Sequence, residues 1–225
     1  MMAKHWVPGL VKSRLGKDTG LAIAAEIHKY FVNLLGNQLA TTADFRCVFV
    51  SPDDACSDFK SEVGPHWITN PQGDGDLGTR MERAFKSLLT TTDDLTLPRM
   101  ILIGADLPTL TSQDLEAAFE KLVTHEVVLG PAEDGGYYLI GLRGPWRNDF
   151  SKLFQSIDWS TSRVFEQTLN VIRSHALDLS LLGMREDIDT IEALNRLLLS
   201  TETDSELKKA VYSLLADGSN PSSKD

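Results

Sequence analysis

Met100-Ile101-Leu102-Ile103-Gly104-Ala105-Asp106-Leu107-Pro108 is the stretch on which the reading of the fold turns. Its first four residues are apolar without alternation, the pattern of a strand buried on both faces, and such a strand needs helices above and below it. Gly104 ends the run, an acid follows, and Pro108 fixes the exit of the chain. The residues 100–104 are therefore expected to form a central parallel strand. In open α/β sheets ligands gather at the carboxyl ends of such strands, which is where Asp106 falls.

Outward from this strand the same alternation continues in both directions. Toward the C-terminus, Thr111-Ser112-Gln113-Asp114 offers N-cap chemistry for a helix over 113–123. Strand patterns at 126–130 and 137–142 flank a turn, and a helix over 162–174, a strand over 177–182 and a helix over 190–199 follow. Toward the N-terminus lie a helix over 81–89 and strands at 66–69 and 45–50. Before them, Leu21, Ala24, Ala25, Ile27, Phe31, Leu34 and Leu35 mark one apolar stripe of a helix over 19–39. Alternating strands and helices predict a largely parallel sheet covered on both sides. There is no internal repeat and no linker, so one domain is expected over 1–216, with a peripheral helix at 206–216. The residues 217–225, DGSNPSSKD, are expected to be a polar tail.

Composition narrows the function. Lys and Arg number 22 against 32 Asp and Glu, a formal net charge of −10, and no basic run offsets it. Such a surface repels polyanions, which argues against nucleic acid or an anionic membrane as partner. An anionic small molecule would need a local cationic pocket or a metal. Cys47 and Cys56 form neither a disulfide framework nor a CxxC pair, no apolar run reaches membrane-spanning length, and residues 1–4 lack a signal-peptide core. A cytoplasmic address is expected. The oligomeric state is not legible.

Chemistry-bearing residues collect at the expected strand ends. Pro8-Gly9-Leu10-Val11-Lys12-Ser13-Arg14-Leu15-Gly16 is a glycine-containing loop with two cations before a helix, suited to a di- or triphosphate or simply to solvent. It is neither a Walker A nor a GxGxxG pattern. Asp106 comes too early to cap the helix near Thr111 and is placed to hold Mg²⁺ or Mn²⁺, which take one or two carboxylates plus substrate phosphates. Glu133-Asp134-Gly135-Gly136-Tyr137-Tyr138 reads as a tight hairpin, although its paired acids, glycines and tyrosines exceed what a turn requires. In Arg185-Glu186-Asp187-Ile188-Asp189-Thr190, either Asp189 or Thr190 could be an N-cap, or Asp189 could be a second carboxylate on the metal of Asp106. In that case the two should approach within about 8 Å. Residues 70–81 carry three glycines leading into a helix, with Gly78 and Arg80 as further candidates for the nucleotide. The five histidines show no metal-ligand spacing.

Taken in order, PGLVKSRL, QGDGDLGTRM, IGADLPTL, VVLGPAEDGGYYLIGL, IDWST and DIDT resemble a bacterial and archaeal family of GT-A-like proteins often labelled glycosyltransferases. That family is distantly similar to 2-phospho-lactate guanylyltransferase and molybdenum-cofactor guanylyltransferase. The resemblance implies a three-layer α/β/α fold of the nucleotide-diphospho-sugar transferase type, with a mostly parallel mixed sheet. It implies a nucleotide cradled by Pro8, Gly9, Lys12 and Arg14, a metal on Asp106 and Asp189, and an acceptor side at Asp134, Gly135, Gly136 and Tyr137, Asp106 and Asp134 being the catalytic acids. The implied activity is metal-dependent glycosyl transfer from a sugar nucleotide to a small acceptor. Nucleotidyl transfer from a nucleoside triphosphate and a non-catalytic nucleotide-binding module are the alternatives. Only residues 1–6 precede the loop where the family's pattern has a full apolar strand. A short first strand is therefore expected, pairing over 1–5 with the strand at 100–104 and keeping Lys12 and Arg14 on the side of Asp106.

Overall fold

The computed structural model describes residues 1–90 and 97–218. The chain runs β1 (Met2–Lys4), α1 (Gly16–Thr19), α2 (Leu21–Gln38), β2 (Cys47–Ser51), α3 (Cys56–Val63), β3 (Ile68–Pro71), α4 (Leu77–Leu89) and β4 (Arg99–Ile103). It continues with α5 (Ser112–Thr124), β5 (Val127–Pro131), β6 (Tyr137–Arg143), α6 (Asn148–Lys152), α7 (Val164–Ser174), β7 (Leu179–Leu181), α8 (Ile191–Leu199) and α9 (Ser205–Gly218). Every strand and helix expected from the sequence has a counterpart here. α9 takes in residues 217 and 218 of the expected tail, and 219–225 lie outside the described residues.

The hydrogen-bonded ladders form two sheets, β1-β2-β3 and β4-β6-β5-β7. β1 with β2, β2 with β3, and β5 with β7 are parallel, while β6 runs antiparallel to both β4 and β5. The side chains nevertheless treat the two ladders as one layer. Val48, Val50, Ile103, Val128 and Leu139 enter one apolar cluster with α2, α3 and α5. Their neighbours along the strands, Phe49, Leu102, Val127, Leu129 and Ile140, enter a second cluster with α4, α6 and α7. The pleat's two-residue alternation thus feeds two cores, one on each face, which makes the three-layer α/β/α architecture. A third cluster joins α2 to α8 and α9 through Ile27, Phe31, Leu194, Leu197 and Val211.

Two expectations are corrected. β4 is an antiparallel partner of β6 and not a central parallel strand: Ile103 pairs with Leu139 and Met100 with Leu142. Continuous apolarity reports burial on both faces, which β4 has, but it carries no information on strand direction. The second correction concerns β1, which pairs with β2 in the register Met2 with Phe49 and Lys4 with Ser51, and not with β4. A three-residue strand has few groups to share between two ladders. The Lys4 carbonyl is taken by the His28 ring at 2.9 Å and Gly104 N–H donates to Tyr138. β1 meets β4 through side chains instead, with Ala3 packed in the cluster of Ile103 and Ala105.

Candidate active site

Four segments meet at the carboxyl ends of these strands, and backbone hydrogen bonds fix their spacing. Ile188 N–H donates to the Asp106 carbonyl (2.9 Å), Arg185 N–H to Pro131 (3.1 Å), and Glu133 N–H to Arg185 (3.0 Å). Arg185 further donates to Asp114, which closes a capping box with Thr111 at the start of α5. The 106, 131–136 and 185–190 segments are therefore one rigid wall. The loop after β1 joins it through Lys12, whose Nζ donates to Asp106 Oδ1 (2.6 Å), to the Ile188 carbonyl (2.7 Å) and to Asp189 Oδ1 (3.5 Å).

Both carboxylates reach the same ammonium, so their facing oxygens lie within about 6 Å of each other. Whether residue 189 or 190 caps the next helix is also resolved. Thr190 accepts the Ala193 N–H at the start of α8, which leaves the Asp189 side chain to the cleft. Lys12 is not a free cation for phosphate. Its side chain is 1% exposed, its three donors are saturated, and it lies over the Phe31 ring at 5.1 Å. The loop turns it inward because two acids and a carbonyl outcompete solvent for it.

The cleft in front of this pair has a volume of about 620 Å³. Arg14, Asp106, Asp134, Gly136, Tyr137, Asp187 and Asp189 line it, with Trp159 and residues 160–162 opposite. Gly135 stands just behind, at φ +88°, where an added Cβ would come 2.2 Å from the Ser162 carbonyl oxygen. No side chain fits there, so this glycine docks the hairpin onto the 160–162 loop. Asp134 accepts from Gly136 N–H at 2.8 Å and holds the turn. The remaining candidates are not among the lining residues. Pro8 and Gly9 form the turn of the first loop, and Arg80 donates to Ser51, Gln72 and Gly75 at the ends of β2 and β3. Gly78 has a packing reason, since a Cβ there would meet the Trp159 indole nitrogen at 2.2 Å.

Charge is unevenly balanced in the cleft. Burial would raise Asp106, but the Lys12 ammonium and the His28 ring beside it hold its carboxyl well below the usual range. Asp189 moves up, through burial and the Asp106 charge, against the pull of Lys12 and Arg14. Asp187 is pushed up to about 6 by burial and by the charges of Asp134 and Asp189. Sequence reading passed over Asp187, although an i, i+2 pair of acids in extended chain places both side chains on one side. It also passed over His28, the polar residue on the apolar stripe of α2, and gave Trp159 no role. Among the described residues, no three His, Cys, Asp or Glu side chains are arranged as a metal cage. Hard oxygens from two adjacent acids still suit Mg²⁺ or Mn²⁺ when substrate phosphates complete the shell. The excess of negative charge around Asp187 is of the sign that a cation relieves.

A pH dependence follows. An acid with its folded pKa raised from 3.8 to about 6 stabilises the fold fully below pH 4 and loses that contribution as pH rises through about 6. Asp187→Asn should therefore be more stable than wild type at pH 7, by on the order of 1–2 kcal/mol after discounting for solvent screening. The advantage should vanish near pH 4. Metal-free melting curves across that range test it, and a gap constant with pH would mean that the charge on Asp187 is not the cause.

Comparison with known proteins adds three findings. A bacterial protein-family profile described as "Uncharacterized protein conserved in bacteria (DUF2064)" matches residues 35–161, which include Asp106, Asp134 and Trp159. A crystal structure from Desulfovibrio desulfuricans G20, named a "putative nucleotide-diphospho-sugar transferase", superposes with a TM-score of 0.84 at 30% identity, covering 97% of this chain and 93% of that one. Rv0371c from Mycobacterium tuberculosis H37Rv aligns at 13% identity and a TM-score of 0.46 over 75% of this chain and 82% of that one, too distant to support a statement about fold. No curated protein matches. No helix among the described residues is long and apolar enough to cross a membrane.

Proposed function

This chain belongs to the bacterial family described as "Uncharacterized protein conserved in bacteria (DUF2064)", and from that premise we propose that it is a transferase that takes a sugar nucleotide and passes the glycosyl group to a small acceptor. One observation carries the reading: Asp106 and Asp189 stand side by side at the carboxyl end of the sheet, braced from behind by one buried lysine. The name of the similar Desulfovibrio protein supports the substrate class.

Asp106 and Asp189 would hold Mg²⁺ or Mn²⁺, which supplies neutralisation of the charge that builds on the departing diphosphate. Arg14, the cation lining the cleft, is placed to pair with phosphate oxygens as that charge grows. Asp134 and Asp187, on the acceptor wall, are within the same cleft to take the proton that the attacking hydroxyl loses. Asp187, pushed up to about 6, is the better matched of the two to accept a proton near neutral pH. Trp159, edge-on to Tyr137 at 6.4 Å between centroids, offers an aromatic wall for a sugar face. Diphosphate suits this cleft better than triphosphate. With Lys12 spent on Asp106 and Asp189, Arg14 alone among the described lining side chains carries positive charge, and a triphosphate would bring more negative charge than it can meet.

Nucleotidyl transfer and a binding module without turnover are separated from this reading by one pair of measurements. Sugar nucleotides should raise the melting temperature only when Mn²⁺ or Mg²⁺ is present, and turnover with an acceptor should release nucleoside diphosphate. Pyrophosphate release from a nucleoside triphosphate would replace the reading with nucleotidyl transfer. Stabilisation by nucleotide with neither product would replace it with a binding module.

A further inference from the structure

The cleft that holds Asp106 and Asp189 has a second, apolar end that the chemistry above leaves unused. On α4, Leu77 and Met81 stand four residues apart and share one helix face, and Asp76 caps that helix so that Leu77 opens its first turn. Leu102 and Ile140 are cross-strand partners on β4 and β6. Val164 begins α7. All five border the same cleft as the acids. Tyr137 joins the two ends. Its backbone lies three residues after Asp134, at most about 10 Å of extended chain, and its hydroxyl turns to the Met81 sulfur at 4.0 Å.

Methyl, methylene and thioether groups make up this end, and they offer no strong donor or acceptor. Met81, Leu102, Ile140 and Val164 are each at most 6% exposed, so a ligand seated against them loses its water there. A polyol in that place would give up hydrogen bonds that nothing replaces. A hydrocarbon gains by the same exclusion of water, and the Met81 thioether adapts to its outline. Leu77 is 42% exposed, a large apolar side chain that the fold leaves uncovered at the edge of the cleft.

Resting on the glycosyl transfer proposed above, we propose that the acceptor is an alcohol with an apolar body. Its hydrocarbon part lies against Leu77, Met81, Leu102, Ile140 and Val164, and its hydroxyl reaches the acids. In that pose the hydroxyl oxygen bonds to the anomeric carbon as the bond from that carbon to the diphosphate oxygen breaks. The departing diphosphate keeps the electron pair, and the proton of the hydroxyl passes to a carboxylate of the acceptor wall. Sugars and other polyols are poor acceptors for the same cleft.

Ligand-observed NMR on the purified full chain tests this with 2-phenylethanol and with xylitol, a polyol of similar size. 2-Phenylethanol should bind saturably and xylitol should not. Val164→Phe fills the apolar end and Leu77→Gln sets an amide at its edge, and each should weaken 2-phenylethanol at least about 10-fold. Should Val164→Phe not fold, Leu77→Gln on the exposed rim decides. Saturating sugar nucleotide with Mn²⁺ should leave 2-phenylethanol bound, since donor and acceptor occupy the cleft together. Its displacement by the sugar nucleotide overturns the inference, because the apolar end would then belong to the donor. Equal binding of xylitol, or 2-phenylethanol binding unchanged in Leu77→Gln, overturns it too. A chain that a sugar nucleotide stabilises in the presence of Mn²⁺ but that takes up no 2-phenylethanol overturns the inference and leaves the transfer reading intact. A chain that no sugar nucleotide stabilises overturns the transfer reading, and the acceptor role with it.

Discussion

Lys12→Met should lower the melting temperature of the ligand-free protein by roughly 5–10 °C, at about 2–4 °C per kcal/mol for a chain of this size. The ammonium it removes is the counter-ion of two acids, with Nζ 2.6 Å from Asp106 and 3.5 Å from Asp189, and it also satisfies the Ile188 carbonyl. Stripping one partner from a fully buried ion pair costs about 3–5 kcal/mol. Here the carboxylate side chains are 42% and 38% exposed and can recruit water, so about 2–3 kcal/mol is the fitting figure. Methionine matches the aliphatic length and keeps the contact with the Phe31 ring, so the loss reports charge and not a cavity. Mg²⁺ should restore part of the stability of the variant, since a divalent ion can neutralise the acids that the lysine leaves behind. Arg14→Met is the control: its side chain lines the cleft, and its loss should weaken nucleotide binding while barely moving the ligand-free melt. If Lys12→Met melts with wild type and instead loses nucleotide, Lys12 is a phosphate ligand and the inward-facing arrangement is not the working one.

The contrast between Lys12 and Arg14 marks the boundary of what the sequence makes legible. Apolar runs and helix stripes announce burial, and the three layers follow from them: Val48 and Val50 face one core and Phe49 the other, as period-two alternation requires. Strand direction is decided by connections and by neighbours, and so the antiparallel placement of β4 against β6 was hidden in a run that looked parallel. The site divides in the same manner. Asp106 and Asp189 stand out because acids at two strand ends are unexpected in a packed sheet. Lys12 and Arg14 look alike in a loop, and only the fold decides that one points inward and the other lines the cleft. His28 was hidden for the reverse reason, being one polar letter in a helical stripe that otherwise satisfies an apolar pattern. Gly78 and Gly135 read as places that give a ligand backbone room. Trp159 and the Ser162 carbonyl stand where their side chains would be, so packing alone accounts for both glycines.

Asp106→Asn should remove the metal-dependent part of the stabilisation that a sugar nucleotide gives. A ligand at 100 times its dissociation constant, bound to the folded state alone, contributes about 2.7 kcal/mol, or roughly 5–10 °C for a chain of this size. The amide keeps the shape of the carboxylate and can still accept from Lys12, but it carries no charge for a divalent ion. Absolute melting temperatures will move as well, because Lys12 then keeps a single charged partner in Asp189. The decisive quantity is thus the difference between melts with and without Mn²⁺ at a fixed, saturating nucleotide concentration. That difference should be large in wild type and close to zero in the variant. Asp134→Asn gives the needed contrast. Its oxygen is engaged by Gly136 N–H on the acceptor wall, so the metal-dependent shift should persist while transfer to the acceptor falls. A full metal-dependent shift in Asp106→Asn would remove Asp106 from the ligand set. The cation, if bound, would then have to sit between Asp134, Asp187 and Asp189, which line the same cleft.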